Sequence, residues 1–365
     1  MTNESKTEPQ RTGSRRVLRV VVVIALLIFV FGWLLPRFID YELIGEAISG
    51  LTWFDLVLLL TLSALRVPTE AMLYRAMLPG LRLAAGSGAY LSSNAAANFM
   101  PPPAPTVIQY AYFRSEGFAN QPSLTGAVGS FIFPQGARVA LPVVALAVLL
   151  IAGQADTEAF LITLGSLVLL TIIGILIRLI GRSETSARWV GAWLGRVASW
   201  VMSKLGREPV GDLGDQVVQF RNTAYAVVRE RWPFGLLAVT LNLGLTYVIL
   251  IVSLRSVGIE SSDIGLANTF ASFAVAFFAG VVIPITGSGL GLVDIVMVSA
   301  LSASAVGTID VNVIVAAVVI WRLFYGLLAF IPGVVTLSRF SRENRDLLGD
   351  AASALGADDD PEDPM

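Results

Sequence analysis

No cysteine and no histidine occur anywhere in the 365 residues, and charge is scarce, with Asp, Glu, Lys and Arg together making up only 14%. The missing thiols and imidazoles exclude disulfide frameworks, thiolate nucleophiles, imidazole bases and the usual zinc or haem ligands. No cofactor and no metal site is therefore expected, and most enzyme chemistries lose their main actors. The net charge of −2 is uninformative by itself, because the charges are segregated along the chain; no nucleic-acid partner is expected. What fills the chain instead is hydrophobic: 55% of residues are apolar and the mean hydropathy is +0.74. A soluble domain of this length cannot hide so much apolar surface.

The apolar residues come in runs long enough to cross a bilayer, whose hydrocarbon core of roughly 30 Å takes about 20 helical residues. The first, Val17 to Leu35, follows the polar segment 1–16 and carries only Arg19. It lacks a small-x-small cleavage site and leads into Pro36, so an uncleaved first membrane helix is predicted. Further spans are predicted at about 51–78, 123–151, 160–180, 233–257 and 312–337. Two other regions are apolar but broken: 88–113 by Pro101, Pro102, Pro103 and Pro105, and 264–305 by Pro284, Gly287, Gly289 and Gly291. Proline removes a backbone donor and glycine frees the dihedrals, so regular helix ends at each break. Freed backbone groups at membrane depth are tolerated only where protein or a water-filled cavity covers them, which makes both breaks candidate binding sites.

Charge sets the topology. If the six clean runs span and each broken region enters and leaves on one side, a single face receives most of the 25 Lys and Arg, and the opposite loops keep only Arg37 and Arg255. The positive-inside rule then places both termini in the cytoplasm, with 181–232 a cytoplasmic loop and 339–365 a disordered tail. The membrane domain of 17–338 divides into two similar parts: span 51–78, broken element 88–113 and span 123–151 are echoed by 233–257, 264–305 and 312–337. The fold class expected is an all-α polytopic membrane helix bundle with two inverted repeats, each with a Pro/Gly-broken element, re-entrant or hairpin. Within the loop, Trp189, Trp193 and Trp200 with Arg188, Arg196 and Lys204 suit a helix in the headgroup layer or one packed on the bundle.

Charges inside the spans are few. Arg66 and Glu70 lie four apart on one helical face, where they can pair with each other or line a pathway. Arg138 and Arg322 occupy corresponding spans, and an isolated arginine there costs several kcal/mol unless partnered. Asp294, just beyond the second break, is the available lock. An anionic headgroup is the functional alternative, since the planar guanidinium fork fits phosphate. The run Gly287-Ser288-Gly289-Leu290-Gly291 is glycine-rich but has no following Lys-Ser/Thr, which argues against a nucleotide site. Asn98, Gln109 and Gln135, with Asn94, are polar groups that line a cavity or bond across helices.

Ile283-Pro284-Ile285-Thr286-Gly287-Ser288-Gly289-Leu290-Gly291-Leu292-Val293-Asp294, followed later by Trp321-Arg322-Leu323, resembles the proline, glycine, acidic residue and arginine pattern of the lysylphosphatidylglycerol synthase transmembrane-region family, the flippase-like membrane proteins. Asn98-Phe99-Met100-Pro101 resembles that family's first broken element, although Pro102, Pro103, Pro105, Thr106 and Gln109 stand where the family carries glycines, an acid and an arginine. The resemblance implies an inner-membrane location and lipid handling, sometimes with a fused aminoacyltransferase domain, for which the loop 181–232 is too short. The expectation is a non-enzymatic transporter that binds and translocates an anionic lipid or a polyprenyl-linked glycan by alternating access. Substrate contacts are expected from Arg138, Arg322, Asp294, Pro284, Gly287, Ser288, Gly289, Gly291, Asn98, Pro101, Gln109 and Gln135. Membrane lipids and a cell-envelope synthesis enzyme are the expected partners. The competing readings are a membrane-embedded lipid-modifying transferase, with Glu70 or Asp294 as its acid or base, and a non-transporting scaffold.

Overall fold

In hydrocarbon, every backbone donor and acceptor must be satisfied within the protein, and a helix does this with its own residues. The computed structural model describes residues 45, 49–97, 104–204, 212–283, 291–307 and 309–354; the run Val17 to Leu35 and residues 355–365 of the tail lie outside them. All regular structure among the described residues is helical. The elements are α1 Trp53–Met77, α2 Leu83–Ala97, α3 Ala104–Ser115, α4 Asn120–Ile151, α5 Thr157–Arg182, α6 Glu184–Lys204, α7 Gly214–Ser256, α8 Leu266–Val282, α9 Leu292–Ala303, α10 Val311–Arg322, a π turn over Leu323–Leu327, α11 Phe330–Glu343 and α12 Arg345–Ala354. Among the described residues, five helical stretches are long and apolar enough to cross a membrane: Trp53–Met77, Asn120–Ile151, Thr157–Arg182, Arg229–Ser256 and Val311–Glu343. The protein is an all-α polytopic bundle.

Side chains cap the starts of α1, α5 and α10. Thr52 caps α1 in a reciprocal pair with Asp55, Asp156 accepts from the Ala159 amide at 2.8 Å, and Asp310 accepts from the Asn312 amide at 2.9 Å. Prolines inside the spans do not end their helices, and neighbouring helices can serve the disturbed turns. Around Pro142 of α4, the α5 hydroxyls of Thr163 and Ser166 donate to Pro142 O at 3.1 Å and to Val139 O. Pro233 is likewise internal: α7 runs unbroken for 43 residues from Gly214, so the helix of the span begins well before the expected position 233, within the loop.

Each broken element is a pair of short helices, α2 with α3 and α8 with α9. At 1.5 Å per residue their 12 to 17 residues extend about 18–26 Å, less than the hydrocarbon core. The packing is reciprocal: α1 lies along α7, α2 of the first broken element packs on α11, and α8 of the second packs on α4. One core gathers Ile249, Phe273, Met297 and Trp321; the other gathers Leu73, Tyr90, Phe113 and Phe340. Outside, α5 exposes Leu161, Leu164, Val168, Ile172 and Ile175, the apolar belt that a lipid solvent demands. Helix α6 turns Ala187 and Val190 inward and leaves Trp189, Trp193 and Trp200 exposed.

Helix α11 approaches α2 closely at Gly333, where a Cβ would sit 2.4 Å from Leu91 O and 3.0 Å from Ala95 Cβ. Gly333→Ala is expected to lower stability by about 1–3 kcal/mol through overpacking. Gly244→Ala, at a helical site where a Cβ meets nothing within 4 Å, should be neutral or slightly stabilising. Thermal unfolding of the two variants in detergent checks the contrast.

Candidate functional site

Five ionisable residues lie well inside the described spans and broken elements: Arg66 and Glu70 on α1, Arg138 on α4, Asp294 on α9 and Arg322 at the end of α10. The second break is tied to the last span by Asp294. One carboxylate oxygen accepts from the Gly291 amide at 2.9 Å and the other accepts from Arg322 Nε at 2.6 Å, with the side chains only 24% and 11% exposed. Gly291 has φ +89°, a conformation that only glycine adopts without strain. The carboxylate thus holds both the turn entering α9 and the guanidinium two elements away.

Arg66 is deeper, 5% exposed. Its guanidinium donates to Tyr325 O and to Asn242 Oδ1 at 3.3 Å. Beside it the Ser63 hydroxyl stands within hydrogen-bond reach of two carbonyls, Leu59 O of its own helix at 2.7 Å and Phe324 O at 2.8 Å. The two backbone acceptors, Phe324 O and Tyr325 O, lie in the π turn, where the i→i−4 ladder is interrupted and carbonyls must find other donors. Arg66 and Ser63 of α1 therefore clamp the turn that immediately follows Arg322.

All three arginines end on one aromatic cluster. Phe277, Trp321 and Tyr325 stand with centroids 6.1 Å, 5.9 Å and 5.0 Å apart. The Arg138 guanidinium lies 5.2 Å from the Phe277 ring, Arg66 4.4 Å from Tyr325, and Arg322 5.1 Å from Trp321 and 5.5 Å from Tyr325. Aromatic faces stabilise a cation at about 0.5–2 kcal/mol each without neutralising it. Against three guanidiniums stand two carboxylates, and Asp294 is committed to Arg322. Glu70 acts electrostatically on both Arg66 and Arg138, but is ion-paired with neither within 4 Å. Arg138 also donates to Gln135 Oε1 at 3.4 Å, and its buried Nε has no hydrogen-bond partner among the described residues. The site holds a surplus of positive charge inside an apolar bundle.

The family model of the lysylphosphatidylglycerol synthase TM region matches residues 16–333, spanning all of these groups. The chain belongs to this family. It is a multi-pass integral membrane protein of lipid metabolism or transport that interacts with membrane lipids. No curated protein matches it.

Within this lysylphosphatidylglycerol synthase TM-region protein, Arg138, Arg322, Asp294 and Gly291 come together as described, and Gln135 joins them through Arg138. Gln109 stands apart. Its Nε2 donates to Tyr74 Oη at 2.9 Å and Ser93 Oγ at 3.2 Å, and its Oε1 accepts from Ser130 at 3.1 Å, stitching α3 to α1, α2 and α4. Asn98, Pro101, Pro284, Gly287, Ser288 and Gly289 lie outside the described residues. Arg66 and Glu70, whose spacing allows either a pair or a place along a pathway, remain in electrostatic reach of each other, while the hydrogen bonds of Arg66 go to Tyr325 O and Asn242 Oδ1. Sequence reasoning missed Tyr325, Trp321, Phe277 and Asn242. Aromatics in a span pass as lipid-facing or core residues, and Asn242, a lone amide between Leu241 and Leu243, was the one signal that a buried polar partner was needed.

Proposed function

We propose that this protein is a flippase-like transporter that binds the anionic head of a membrane lipid, or of a polyprenyl-linked glycan, between two inverted halves and exposes it alternately to the two leaflets. The observation that carries the reading is the convergence of Arg66, Arg138 and Arg322 on one aromatic cluster with a single carboxylate committed among them. A phosphate supplies the missing negative charge and matches the guanidinium fork. The reciprocal packing of α2 on α11 and of α8 on α4 supports an inverted pair, and the short lengths of α2, α3, α8 and α9 support re-entrant elements. Asp294 orients Arg322, and Gln135 orients Arg138. The reading assigns no catalysis. For a lipid-modifying transferase, which needs a general base, both oxygens of Asp294 are occupied, which leaves Glu70 as the carboxylate that reading would have to use. The loop charges favour the cytoplasmic membrane with both termini inside, and the exposed Trp189, Trp193 and Trp200 of α6, two residues after α5 ends, suit the inner headgroup layer.

The test is native mass spectrometry of the protein purified in its own membrane lipids, comparing wild type with Arg138→Ala and Arg322→Ala at matched folding. Loss of one specific anionic lipid in both variants is the expected result. Identical lipid retention in all three returns the arginines to a structural role and removes the transport site.

A further inference from the structure

Of the two carboxylates in the arginine cluster, Asp294 is bound through both oxygens, whereas among the described residues no hydrogen bond and no ion pair reaches Glu70. Its side chain is half-buried. On its own helix Glu70 lies one turn from Arg66 and one turn from Tyr74, on the same face of α1. The helices packed on α1 add two more groups: Arg138 of α4 acts on Glu70 together with Arg66, and Tyr90 of α2 is in electrostatic reach of both Glu70 and Arg66. Tyr325 of the π turn and the neutral amide Asn242 of α7 face Arg66. An ordinary tyrosine keeps its proton to about pH 10 and an arginine to above about pH 12, so a carboxyl is the member of such a cluster that gains a proton on acidification.

Charge gives that carboxyl a task. Three guanidiniums against two carboxylates leave the empty cluster with one positive charge, and a phosphodiester among the arginines cancels it. The same anion competes for the cations that keep Glu70 ionised inside an apolar bundle, and so favours a proton there. With the proton bound, the single positive charge returns. The loaded site then carries the charge of the empty one, and both forms rock against the same electrostatic barrier. We propose that Glu70 is a proton-binding site linked to the anion on the arginines, so that each anionic lipid is carried with one proton. This rests on the headgroup reading above and deepens it by naming the coupling ion. The linkage is reciprocal: the anion raises the affinity for the proton by the factor by which the proton raises the affinity for the anion. Glu70 stands seven residues before the end of α1 at Met77, about 10 Å along the helix axis. The loop charges make that end cytoplasmic, so the proton exchanges with the cytoplasmic side in this conformation.

The experiment titrates the full chain in detergent with phosphatidylglycerol, whose phosphodiester keeps its single charge throughout, between about pH 5 and about pH 9, where neither arginine nor an ordinary tyrosine changes charge. Wild-type affinity should rise roughly tenfold towards acid, since a neighbouring charge typically moves the titration of a carboxyl by about one to three pH units and the same factor returns in the affinity of the linked ligand. Phosphatidylcholine, which has no net charge, should show no such rise. Glu70→Gln has the shape of the protonated acid and should bind phosphatidylglycerol at the wild type's acid-limit affinity at every pH. A wild-type affinity that is flat with pH, or that rises equally for both lipids, overturns the proton site and leaves the headgroup reading standing. A Glu70→Gln profile as steep as that of wild type overturns it too, and moves the titration to Asp294. If Glu70→Gln does not fold, the wild type alone decides: phosphatidylglycerol added to lightly buffered protein, at the pH where the profile is steepest, should draw protons from the medium, up to one per lipid bound. No uptake overturns the site. Absence of phosphatidylglycerol binding at every pH removes both the headgroup reading and the proton linked to it.

Discussion

Asp294→Ala is expected to destabilise the protein by about 3–5 kcal/mol, the cost of leaving a buried guanidinium without its carboxylate. Arg322 is only 11% exposed and sits in an apolar bundle, so water cannot replace the lost partner as it would at a soluble surface. The same substitution frees the Gly291 amide, which donates to the other oxygen of Asp294 at 2.9 Å, and so loosens the turn entering α9. Asp294→Asn keeps a carbonyl oxygen for one donor but removes the charge, and should fall between wild type and the alanine variant. In Asp294→Ala/Arg322→Leu the stranded cation is gone, and most of the lost stability should return because a matched apolar pair costs less than a half-pair. Thermal unfolding in one detergent, measured on the four proteins, decides the matter. A double variant no more stable than Asp294→Ala would show that the turn at Gly291, rather than the charge, is what Asp294 maintains.

That prediction rests on a pair visible in the sequence, because an acid beside a glycine break and an arginine in the following span were the only strong charges within reach of each other in that half. Long uncharged runs were legible for the same reason: the hydrocarbon thickness fixes their length whatever the neighbours. What stayed hidden depends on contacts between distant segments. The 312–337 run reads as one helix, yet a π turn interrupts it after Arg322; Gly326 within the turn and Pro332 beyond it weaken the ladder locally without fixing where it widens. On α1, Arg66 and Ser63 stand opposite with donors in reach of Tyr325 O and Phe324 O. The i,i+4 spacing of Arg66 and Glu70 correctly put them on one face, but spacing says nothing about a competing acceptor on a helix more than 250 positions away. Pro233 lies inside α7, which continues through it although proline disfavours an isolated helix. The aromatic cluster was invisible because Phe277, Trp321 and Tyr325 differ from other apolar span residues only in what they are packed against.

Arg138→Ala should separate binding from stability in a way that no other substitution in the site does. Arg322 has Asp294 and Arg66 has the π turn, so removing either breaks a structural bond as well as a charge. Arg138 has a long contact to Gln135 at 3.4 Å, the face of Phe277 at 5.2 Å, and the more distant field of Glu70. Its partnerless Nε is a standing cost to the empty protein, since an unsatisfied buried donor typically costs about 1–3 kcal/mol. Deleting the side chain relieves that cost while losing the cation–π contact of about 0.5–2 kcal/mol, so the two nearly cancel and the change in stability should stay within about 1 kcal/mol. Lipid binding has no such compensation. A charge-assisted hydrogen bond from guanidinium to phosphate contributes about 1.5–3 kcal/mol, so affinity for phosphatidylglycerol should fall by roughly tenfold to a hundredfold. Arg138→Lys keeps the charge without the planar fork and should recover only part of the loss. Titration of each variant with phosphatidylglycerol and with phosphatidylcholine, beside its unfolding temperature, reads both quantities on one preparation. Unchanged affinity with lowered stability would make Arg138 a structural residue and move the anion site to Arg66 and Arg322 alone. Unchanged stability with lost affinity marks a cation that the fold tolerates for the sake of a ligand.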